Sequence, residues 1–313
     1  MKAAVVSSFD SPPRYAEFPA PAPADPDEEV VDVIAAGLHP RVRSQAAGSH
    51  YTSTGELPFV PGIDGVGRGA DGTLRYFLLD ETTAGSMAEQ TVIDRRRSIV
   101  LPAHADPVAV AAALNPAMAS WMALRCRIDA KPGQSVLVLG ATGNAGRMAV
   151  QIATRLGAGR VVAAARDTGR LAELAALGAT DTAPLADTEQ LGKAAAEVDV
   201  VLDFLWGEPA AAAMAAVITA RPDRGAPLAW VQIGAVAGPT APIPSAALRG
   251  ARLQIVGSGQ GSLSGRDYLA ELPALVEEIG NGHVRIDTRT VPLSQVEQAW
   301  TDASPAQRIV ITP

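Results

Sequence analysis

The sequence predicts an α/β protein that combines a doubly wound parallel sheet with a second, mainly β module. Short apolar runs alternate with helical segments after residue 103, which is the pattern of a parallel sheet covered by helices on both faces. Six prolines between residues 12 and 26 exclude a helix there and favour loops and edge strands. A chain of 313 residues is long enough for about two domains.

Composition limits the class of partner. The net charge of −7 argues against a nucleic acid or an anionic membrane surface. Cys126 is the one cysteine, so the chain has no internal disulfide and no cysteine-rich zinc site. Because we find no secretory signal pattern and no apolar run of about 18 residues, we expect a soluble, cytoplasmic protein that acts on a small molecule.

The N-terminal third has the pattern of β structure. Residues 37–69 are rich in Gly, Pro, Ser and Thr, and we expect an irregular β segment whose loops suit a substrate site. The expected strands of this module are residues 1–6, 30–36, 74–79 and 87–93.

Strands and helices alternate in the central part of the chain, and ligands of such sheets bind beyond the carboxyl ends of the strands. The C-terminal part, from residue 268, is expected to return to the first module. The expected helices are residues 106–114, 116–125, 147–156, 167–177, 209–220, 268–279 and 296–300, and the expected strands are residues 136–139, 161–165, 199–204, 229–233, 253–256, 289–293 and 308–311.

A glycine-rich turn follows the apolar strand at residues 136–139 and precedes a helix, which is the context of a dinucleotide site. Gly143 lets the backbone approach a pyrophosphate, and Gly146 lets the helix pack close to the strand. The helix N-terminus offers N–H groups and partial positive charge to the phosphates. The first glycine of the usual G-x-G-x-x-G pattern is replaced by Ala141. The expected phosphate-binding residues are Ala141, Thr142, Gly143, Asn144, Ala145 and Gly146.

The end of the second strand of this sheet decides between NAD(H) and NADP(H). A carboxylate about 20 residues past the glycine turn would bind the ribose of NAD(H). Ala165 and Arg166 occupy that place, and Arg170 lies one helical turn further. Guanidinium groups pair with a 2′-phosphate, so we expect NADP(H), with Asp167 as a helix cap. The alternative is that both arginines are solvated surface charges.

Several segments together resemble the zinc-free quinone oxidoreductase branch of the medium-chain dehydrogenase/reductase superfamily, over nearly the whole length. Residues 57–67, Leu-Pro-Phe-Val-Pro-Gly-Ile-Asp-Gly-Val-Gly, resemble the family's "PFVPG.D..G" segment, and residues 85–89 resemble its "G.yAEy" segment. Further resembling segments are residues 114–124, 132–146, 177–179, 201–203 and 296–311.

This resemblance implies a GroES-like β domain formed by both chain ends, with a Rossmann NADP(H)-binding domain inserted between them. The expected boundaries are residues 1–117 for the first part of the catalytic domain, 118–257 for the Rossmann domain and 258–313 for the return segment. It also implies a cleft in which nicotinamide meets substrate, and a homodimer formed through the Rossmann domain.

The metal ligands of the zinc-dependent branch are absent at their usual positions. His39 stands where that branch has its first Cys ligand, and Ile63 stands where its Gly-His-Glu segment has the His. His39, His50 and Asp64 match no ligand spacing, so we expect no metal.

Without a metal to stabilise an alkoxide, reduction of an already polarised acceptor fits better than alcohol oxidation. The resemblance therefore implies an NADPH-dependent enzyme that transfers hydride to a quinone or to the β-carbon of an α,β-unsaturated carbonyl compound (enone). Two alternatives stay open. One is a non-catalytic NADPH-binding or sensor protein, and the other is an enoyl-thioester reductase, for which Arg41 and Arg43 are the nearby basic cluster.

Three residues are candidates for hydrogen bonding the substrate oxygen, and we rank them Tyr51, His39 and His50. His39 replaces the family's usual Asn, and Val42 its usual Asp, so the family's own donors do not carry over. Alternatively, Tyr51 packs in a loop and His39 binds a backbone carbonyl.

The resemblance adds further cofactor contacts. Asn115 is expected near the nicotinamide, and Ser120 takes the place of a family Thr that contacts the cofactor. Trp206 borders either the adenine or the pocket, or is a core residue. Two glycine-containing strand ends complete the expected site: Gly234, Ala235 and Val236, and Gly257, Ser258 and Gly259.

Overall fold

The structure, a computed structural model, describes residues 1–50, 53, 55–79, 82–259, 261–302 and 307–313. The strands are β1 (Lys2–Val5), β2 (Arg14–Glu17), β3 (Glu28–Gly37), β4 (Asp64–Arg68), β5 (Leu74–Leu78), β6 (Gln90–Asp94), β7 (Ser98–Val100), β8 (Ser135–Leu139), β9 (Arg160–Ala165), β10 (Asp181–Pro184), β11 (Val200–Asp203), β12 (Leu228–Gln232), β13 (Leu253–Gly257), β14 (Thr288–Pro292) and β15 (Arg308–Thr312). The helices are α1 (Pro40–Ala46), α2 (Pro107–Met122), α3 (Asn144–Arg155), α4 (Thr168–Ala172), α5 (Thr188–Ala194), α6 (Gly207–Ala220), α7 (Ser245–Gly250), α8 (Gly265–Gly280) and α9 (Val296–Thr301).

These elements form two compact units. Residues Met1–Asn115 and Leu269–Pro313 form the first, which we call the mixed-sheet unit, and Pro116–Tyr268 form the second, the parallel-sheet unit. Both ends of the chain therefore lie in one unit. The domain boundaries expected at residues 117 and 257 stay a prediction.

The mixed-sheet unit is built on a sheet with the strand order β14-β15-β3-β4-β5-β7, in which β6 also pairs with β3. All these pairs are antiparallel except β14 with β15. Val33, Val60, Met87 and Ile311 belong to an apolar core of this unit. This core fixes the strands that carry the buried polar groups described below.

The parallel-sheet unit contains one sheet with the strand order β10-β9-β8-β11-β12-β13, and every described pair in it is parallel. Strands added after β8 go first to one side and then, from β11, to the other. The order therefore reverses between β8 and β11, which is where doubly wound sheets bind ligands. Apolar side chains fill the strands because helices cover both faces. The predicted doubly wound parallel sheet is confirmed.

The two helices expected at residues 106–114 and 116–125 are a single helix, α2, which continues into a π-helical turn at Ala123–Arg127. Pro116 lies inside it, so the expectation that proline separates two helices was wrong here. Proline removes one backbone hydrogen bond without ending the helix when packing holds both sides.

The same helix corrects the expectation that the chain has no apolar run of about 18 residues. Pro107–Arg127 has the length, 21 residues, and the mean hydropathy, 1.3, of a membrane span. Its most apolar window is 72% buried inside the protein, as in the core helix of a soluble fold.

Several short elements were not predicted. Helix α1 lies in the segment expected to be irregular β structure, and it starts with Pro40, a residue suited to the first helical turn. Strands β7 and β10 and helices α5 and α7 were also missed, because segments of three to seven residues carry little periodic signal.

Candidate functional site

The first glycine of the turn after β8 is Gly140, one residue before Ala141, the position that the sequence pattern indicated. Gly140 has a positive φ of 83°, which a residue with a side chain rarely adopts. Its carbonyl accepts the Gly143 N–H at 3.1 Å and so closes the turn. A Cβ atom at Gly146 would overlap that same carbonyl and lie 2.7 Å from the Ala141 Cα. The tight-turn role therefore belongs to Gly140, and the replacement at Ala141 leaves the motif intact.

Helix α3 begins directly after this turn and suits an anion. Gly143 is its N-cap residue, and no side chain caps the helix. The first N–H groups of a helix have no partner within the helix, and they carry its partial positive charge. Gly143 is exposed and Asn144 and Ala145 are half-buried, so a phosphate can approach these groups. Thr142, also half-buried, adds a hydroxyl to the turn.

The loops after β8, β11 and β12 pack against one another at the same end of the sheet. A Cβ at Gly140 would lie 3.0 Å from a methyl group of Leu205. The Ala237 N–H donates to the Leu205 carbonyl at 2.8 Å, and the Gly234 N–H donates to the Asp203 carbonyl at 3.1 Å. The predicted residues of the β8 and β12 ends are therefore brought together with a third loop.

Asp203 holds the loop after β11 in place. In the sequence it stood out only as part of residues 201–203, one of the segments that resemble the family. Its carboxylate is fully buried and accepts the N–H groups of Leu205 at 2.8 Å and Trp206 at 3.0 Å, and Nε1–H of Trp230 at 2.9 Å. Burial raises the pKa of Asp203 above its ordinary value, although these three bonds oppose the rise. They also hold Trp206 at a φ of 53°, a conformation that is unusual for a residue with a side chain.

Arg166 and Arg170 lie beyond the end of β9. Arg166 is exposed and Arg170 is half-buried, and among the described residues neither side chain has an ion-pair or hydrogen-bond partner. The Asp167 carboxylate accepts the Arg170 backbone N–H at 3.1 Å and caps α4, as predicted. Two guanidinium groups are therefore available to an anion near the end of β9.

The remaining predicted cofactor residues differ in their environments. Ala235 and Val236 are exposed, as are Gly257 and Gly259, whereas Ser258 is buried and its N–H donates to the Gln232 carbonyl at 2.8 Å. Ser120 is fully buried, and its hydroxyl donates to the Ala117 carbonyl of its own helix at 3.2 Å.

The mixed-sheet unit holds a buried polar chain that we call the His39 network, made of His39, Asp64, Tyr76 and Asn115. Nε2 of His39 lies 2.8 Å from Oδ1 of Asp64, and the Tyr76 hydroxyl donates to Oδ2 of Asp64 at 2.7 Å. The Asn115 side chain hydrogen-bonds Tyr76 in turn. His39 is 2% exposed, and Asp64 and Tyr76 are not exposed at all. His39 therefore binds a carboxylate, not the backbone carbonyl that we considered as an alternative.

Two more groups surround this network. Ser86 donates its hydroxyl to the backbone carbonyl of Asp64 at 2.6 Å. Arg308, 4% exposed, donates to the Leu38 carbonyl at 3.0 Å. Burial lowers the pKa of Arg308 to about 10, although the Asp64 charge opposes that shift. Burial first, then the charge and the hydrogen bond of Asp64, raise the pKa of Tyr76 well above its ordinary value, so Tyr76 stays a donor.

The structure defines the other two candidate hydrogen-bond donors less well. Tyr51 lies outside the described residues. His50 is half-buried, and burial, followed by the charge of Arg41, lowers its pKa below the ordinary value.

Potential metal ligands do not converge in the described part of the chain: no group of three or more His, Cys, Asp or Glu side chains is placed to hold an ion. His39 and Asp64 pair with each other.

The basic cluster considered for a thioester carrier is also used within the fold. The Arg43 guanidinium donates to the carbonyls of Ala299, Trp300 and Asp302 at the end of α9 and lies 5.5 Å from the Trp300 ring centre. Burial lowers its pKa. Arg43 therefore has structural partners and is not a surface charge.

A parallel sheet with a glycine turn at its switch point and a separate mainly β unit define an α/β protein of the dinucleotide-binding class. Comparison with known proteins narrows this. No family model matches the chain. A probable NADPH-dependent quinone reductase of Emericella nidulans, tdiC, is 32% identical over an alignment of 359 positions, gaps included, that covers 100% of both chains. The chain therefore belongs to the quinone oxidoreductase family of the medium-chain dehydrogenase/reductase superfamily.

Two further proteins are similar to this chain. The quinone oxidoreductase of Thermus thermophilus, whose crystal structures include a complex with NADPH, has a TM-score of 0.84 and 28% identity over 100% of both chains. A chloroplastic NADPH-dependent alkenal/one oxidoreductase of Arabidopsis thaliana is 28% identical over 195 residues, which are 57% of this chain and 50% of that protein. The expected combination of a GroES-like unit and a Rossmann unit is confirmed.

Proposed function

We propose that the protein is a zinc-independent oxidoreductase that uses NADPH to transfer hydride to a quinone or an enone. The observation that carries the proposal is the pair Arg166 and Arg170 beyond β9, whose side chains have no partner in the described part of the chain. They lie in the same unit as a glycine turn and a helix N-terminus that suit phosphates. The relatives named for NADPH, quinones and alkenals support the same chemistry.

The parallel-sheet unit fits the cofactor on its own geometry. A pyrophosphate suits the exposed backbone at Gly143 and the N-terminus of α3, where the turn leaves no Cβ in the way. Arg166 and Arg170 bind the 2′-phosphate, because a guanidinium group pairs with phosphate oxygens in a fork. When bound, NADPH supplies a hydride from its nicotinamide ring. The further proposed contacts are Ala141, Thr142, Asn144, Ala145, Gly146, Asn115, Ser120, Gly234, Ala235, Val236, Gly257, Ser258 and Gly259.

The acceptor is reduced without a metal. Ile63 and His39 stand at the ligand positions of the zinc-dependent branch, and a His–Asp pair by itself gives two ligands where a catalytic zinc needs three from the protein. The protein therefore stabilises the developing oxyanion of the substrate with hydrogen-bond donors. Tyr51, His39 and His50 are the proposed donors.

An enoyl-thioester reductase is less well supported, because the guanidinium group of Arg43 is engaged by the end of α9.

We also propose a cytoplasmic homodimer formed through the parallel-sheet unit. Strand β13 is at one edge of the six-stranded sheet, and an edge strand presents backbone groups that a second strand can pair with. The exposed Leu248 lies on α7, shortly before β13 in the chain. Light scattering after size exclusion is expected to give twice the chain mass of 32.2 kDa, and a value of one chain mass would contradict the dimer.

The function is tested by following NADPH and NADH oxidation with a panel of quinones and α,β-unsaturated carbonyl compounds. We expect turnover with at least one acceptor class and a preference for NADPH. NADPH binding without turnover across the whole panel would instead support a non-catalytic binding or sensor protein.

A further inference from the structure

The geometry of the His39 network points to a specific role, and we propose that His39 delivers the proton to the substrate oxygen while Asp64 and Tyr76 position it. This proposal rests on the proposed reductase function. It assigns the proton donor, and it gives Asp64 and Tyr76 a positioning role that the resemblance did not imply.

The two ring nitrogens of His39 differ: Nε2 is held by a hydrogen bond, and Nδ1 has no partner among the described residues. A carboxylate accepts hydrogen bonds, so Nε2 of His39 carries the hydrogen shared with Asp64 at 2.8 Å. Nδ1 is buried and has no hydrogen-bond partner among the described residues. A buried polar atom without a partner is unfavourable by about 1–3 kcal/mol. A site that keeps such an atom is suited to a bound molecule that supplies the missing partner.

Close packing restricts rotation of the His39 ring. A Cβ atom at Gly37 would lie 2.8 Å from both Cε1 and Nε2 of His39, so the ring occupies the space that a larger residue would fill. Asp64 is held in turn by Tyr76 on β5, and its backbone is held by Ser86. A proton donor needs this kind of fixed orientation.

Charged and titratable groups lie close to His39. They include Asp64 on β4, Tyr76 on β5, Arg308 on β15 and, near Arg308, Arg43 on α1. Asp64 and Arg308 balance each other, and Tyr76 stays neutral. A protonated His39 adds one positive charge to a buried centre. An oxyanion that forms beside Nδ1 neutralises that charge, so the network favours proton transfer when the substrate becomes anionic.

For an enone, the proposed reduction transfers one hydride and one proton. A hydride forms a new C–H bond at the β-carbon, the C=C electron pair shifts to give an enolate, and NADPH becomes NADP⁺. The imidazolium form of His39, which carries a hydrogen on both ring nitrogens, gives its Nδ1 proton to the enolate oxygen and becomes the neutral ring, and the resulting enol converts to the ketone. The neutral ring then takes up a proton from solvent. For a quinone, the same hydride and proton give the hydroquinone.

The first experiment replaces His39 with Asn, the residue the family usually has there. We expect kcat to fall roughly 100-fold, the size of a general-acid contribution, with NADPH affinity unchanged. The matched control is His104→Asn, since the His104 side chain is 59% exposed in the same unit. It should leave both quantities unchanged. Wild-type turnover in H39N would overturn the proposal.

The second experiment tests whether Asp64 and Tyr76 act through His39. Asp64→Asn weakens the hydrogen bond that orients Nε2 of His39, and Tyr76→Phe removes the hydroxyl that holds Asp64. Each substitution should lower kcat and leave NADPH affinity unchanged, and neither should lower kcat further when it is combined with His39→Asn. Additive losses of kcat in the double variants, or wild-type kcat in both single variants, would overturn the positioning role.

The third experiment does not depend on turnover. p-Nitrophenolate imitates the oxyanion, and binding it should place a proton on Nδ1 of His39, visible in the ¹⁵N NMR spectrum of histidine-labelled protein. We expect His39→Asn to weaken p-nitrophenolate binding about tenfold. Equal binding by both proteins, without a change at Nδ1, would overturn the proposal. If no acceptor of the panel is reduced while this response is seen, the reductase function fails and the anion-binding role of His39 stands.

Discussion

The two units build their polar sites in different ways. The parallel-sheet unit uses backbone groups and glycines that are contiguous in the chain, at residues 140–146, and adds Arg166 and Arg170 from the next strand end. The mixed-sheet unit uses side chains, and Asp64 lies 25 residues from His39 and 12 from Tyr76. A backbone cradle is specified locally, whereas a side-chain network exists only after β3, β4 and β5 have paired. We propose that the first kind of site binds the cofactor and that the second adjusts the chemistry.

The largest effect on stability and cofactor binding is expected in the backbone cradle. Gly146→Ala would place a Cβ against the Gly140 carbonyl, so it should lower the free energy of unfolding by about 2 kcal/mol and weaken NADPH binding at least tenfold. Chemical denaturation and fluorescence titration measure the two effects. Gly265→Ala, with nothing within 4 Å of the new Cβ, is the control for stability. Unchanged stability and NADPH affinity in G146A would contradict the described turn.

Gly143→Ala separates phosphate binding from stability within the same turn. Its Cβ would lie 3.4 Å from the Gly140 carbonyl oxygen, which is ordinary contact, and the φ of −74° suits alanine. We therefore expect the stability to stay near that of the wild type while NADPH binding weakens, because the methyl group occupies the phosphate approach. Wild-type NADPH affinity in this variant would place the phosphates elsewhere.

The next effect concerns the arginines. Arg166→Ala should weaken NADPH binding roughly tenfold or more and leave NADH binding nearly unchanged, because a charge-assisted hydrogen bond to phosphate contributes about 1.5–3 kcal/mol. Arg252→Ala is the matched control, since this exposed arginine directly precedes β13, at the opposite end of the sheet. Equal losses for the two cofactors in R166A would exclude the 2′-phosphate contact.

A smaller effect is expected from Tyr51→Phe. Tyr51 is the first of the three candidates for hydrogen bonding the substrate oxygen. The substitution removes one hydroxyl, so kcat should fall about tenfold while NADPH affinity stays intact. Stopped-flow measurement of NADPH oxidation provides both quantities. Turnover equal to the wild type would remove Tyr51 from the mechanism and leave His39 and His50 as donors.

The smallest effect concerns Asp203 and stability. Asp203→Asn keeps an acceptor for Leu205 and Trp206 but turns an amide toward Nε1–H of Trp230, so it should destabilise the protein by about 1 kcal/mol. The raised pKa of Asp203 means that the folded protein holds its proton more tightly than the unfolded chain does. This contribution to stability is complete below the unfolded pKa and is lost as the pH rises through the folded value.

The stability advantage of the wild type over D203N should therefore decrease as the pH rises above 3.8, the ordinary pKa of an aspartate side chain. Urea denaturation of both proteins across the acidic range measures it. An advantage that grows with pH would show that the bonds from Leu205, Trp206 and Trp230 outweigh burial.

The sequence carried enough information for the parallel sheet. Its strands are apolar on both faces and end at glycines or polar residues, so their positions agreed within a few residues for β8, β9 and β12. The Asp167 cap was predicted because a cap is a local contact. The exceptions are also local: Gly140 was not recognised as the turn glycine, because the motif was aligned one residue too late.

The sequence carried less information for the mixed-sheet unit. Asp64 was considered as a metal ligand, although a carboxylate in the apolar, glycine-rich segment Ile63–Val66 was itself a sign of a buried hydrogen-bonded acid. Its partner Tyr76 could not be found, because the pairing of β4 with β5 sets which side chains meet. His39 was found because it replaces a residue of the resembling family, and its contact with Asp64 needed the fold.

The division of labour between the two units is tested most directly by measuring NADPH affinity and saturated turnover in Arg166→Ala and His39→Asn side by side. We predict that Arg166→Ala lowers NADPH affinity and leaves kcat at saturating NADPH near the wild-type value. We predict that His39→Asn lowers kcat and leaves NADPH affinity unchanged. If each variant lowered both quantities to the same extent, cofactor binding and proton delivery would not be separate tasks of the two units.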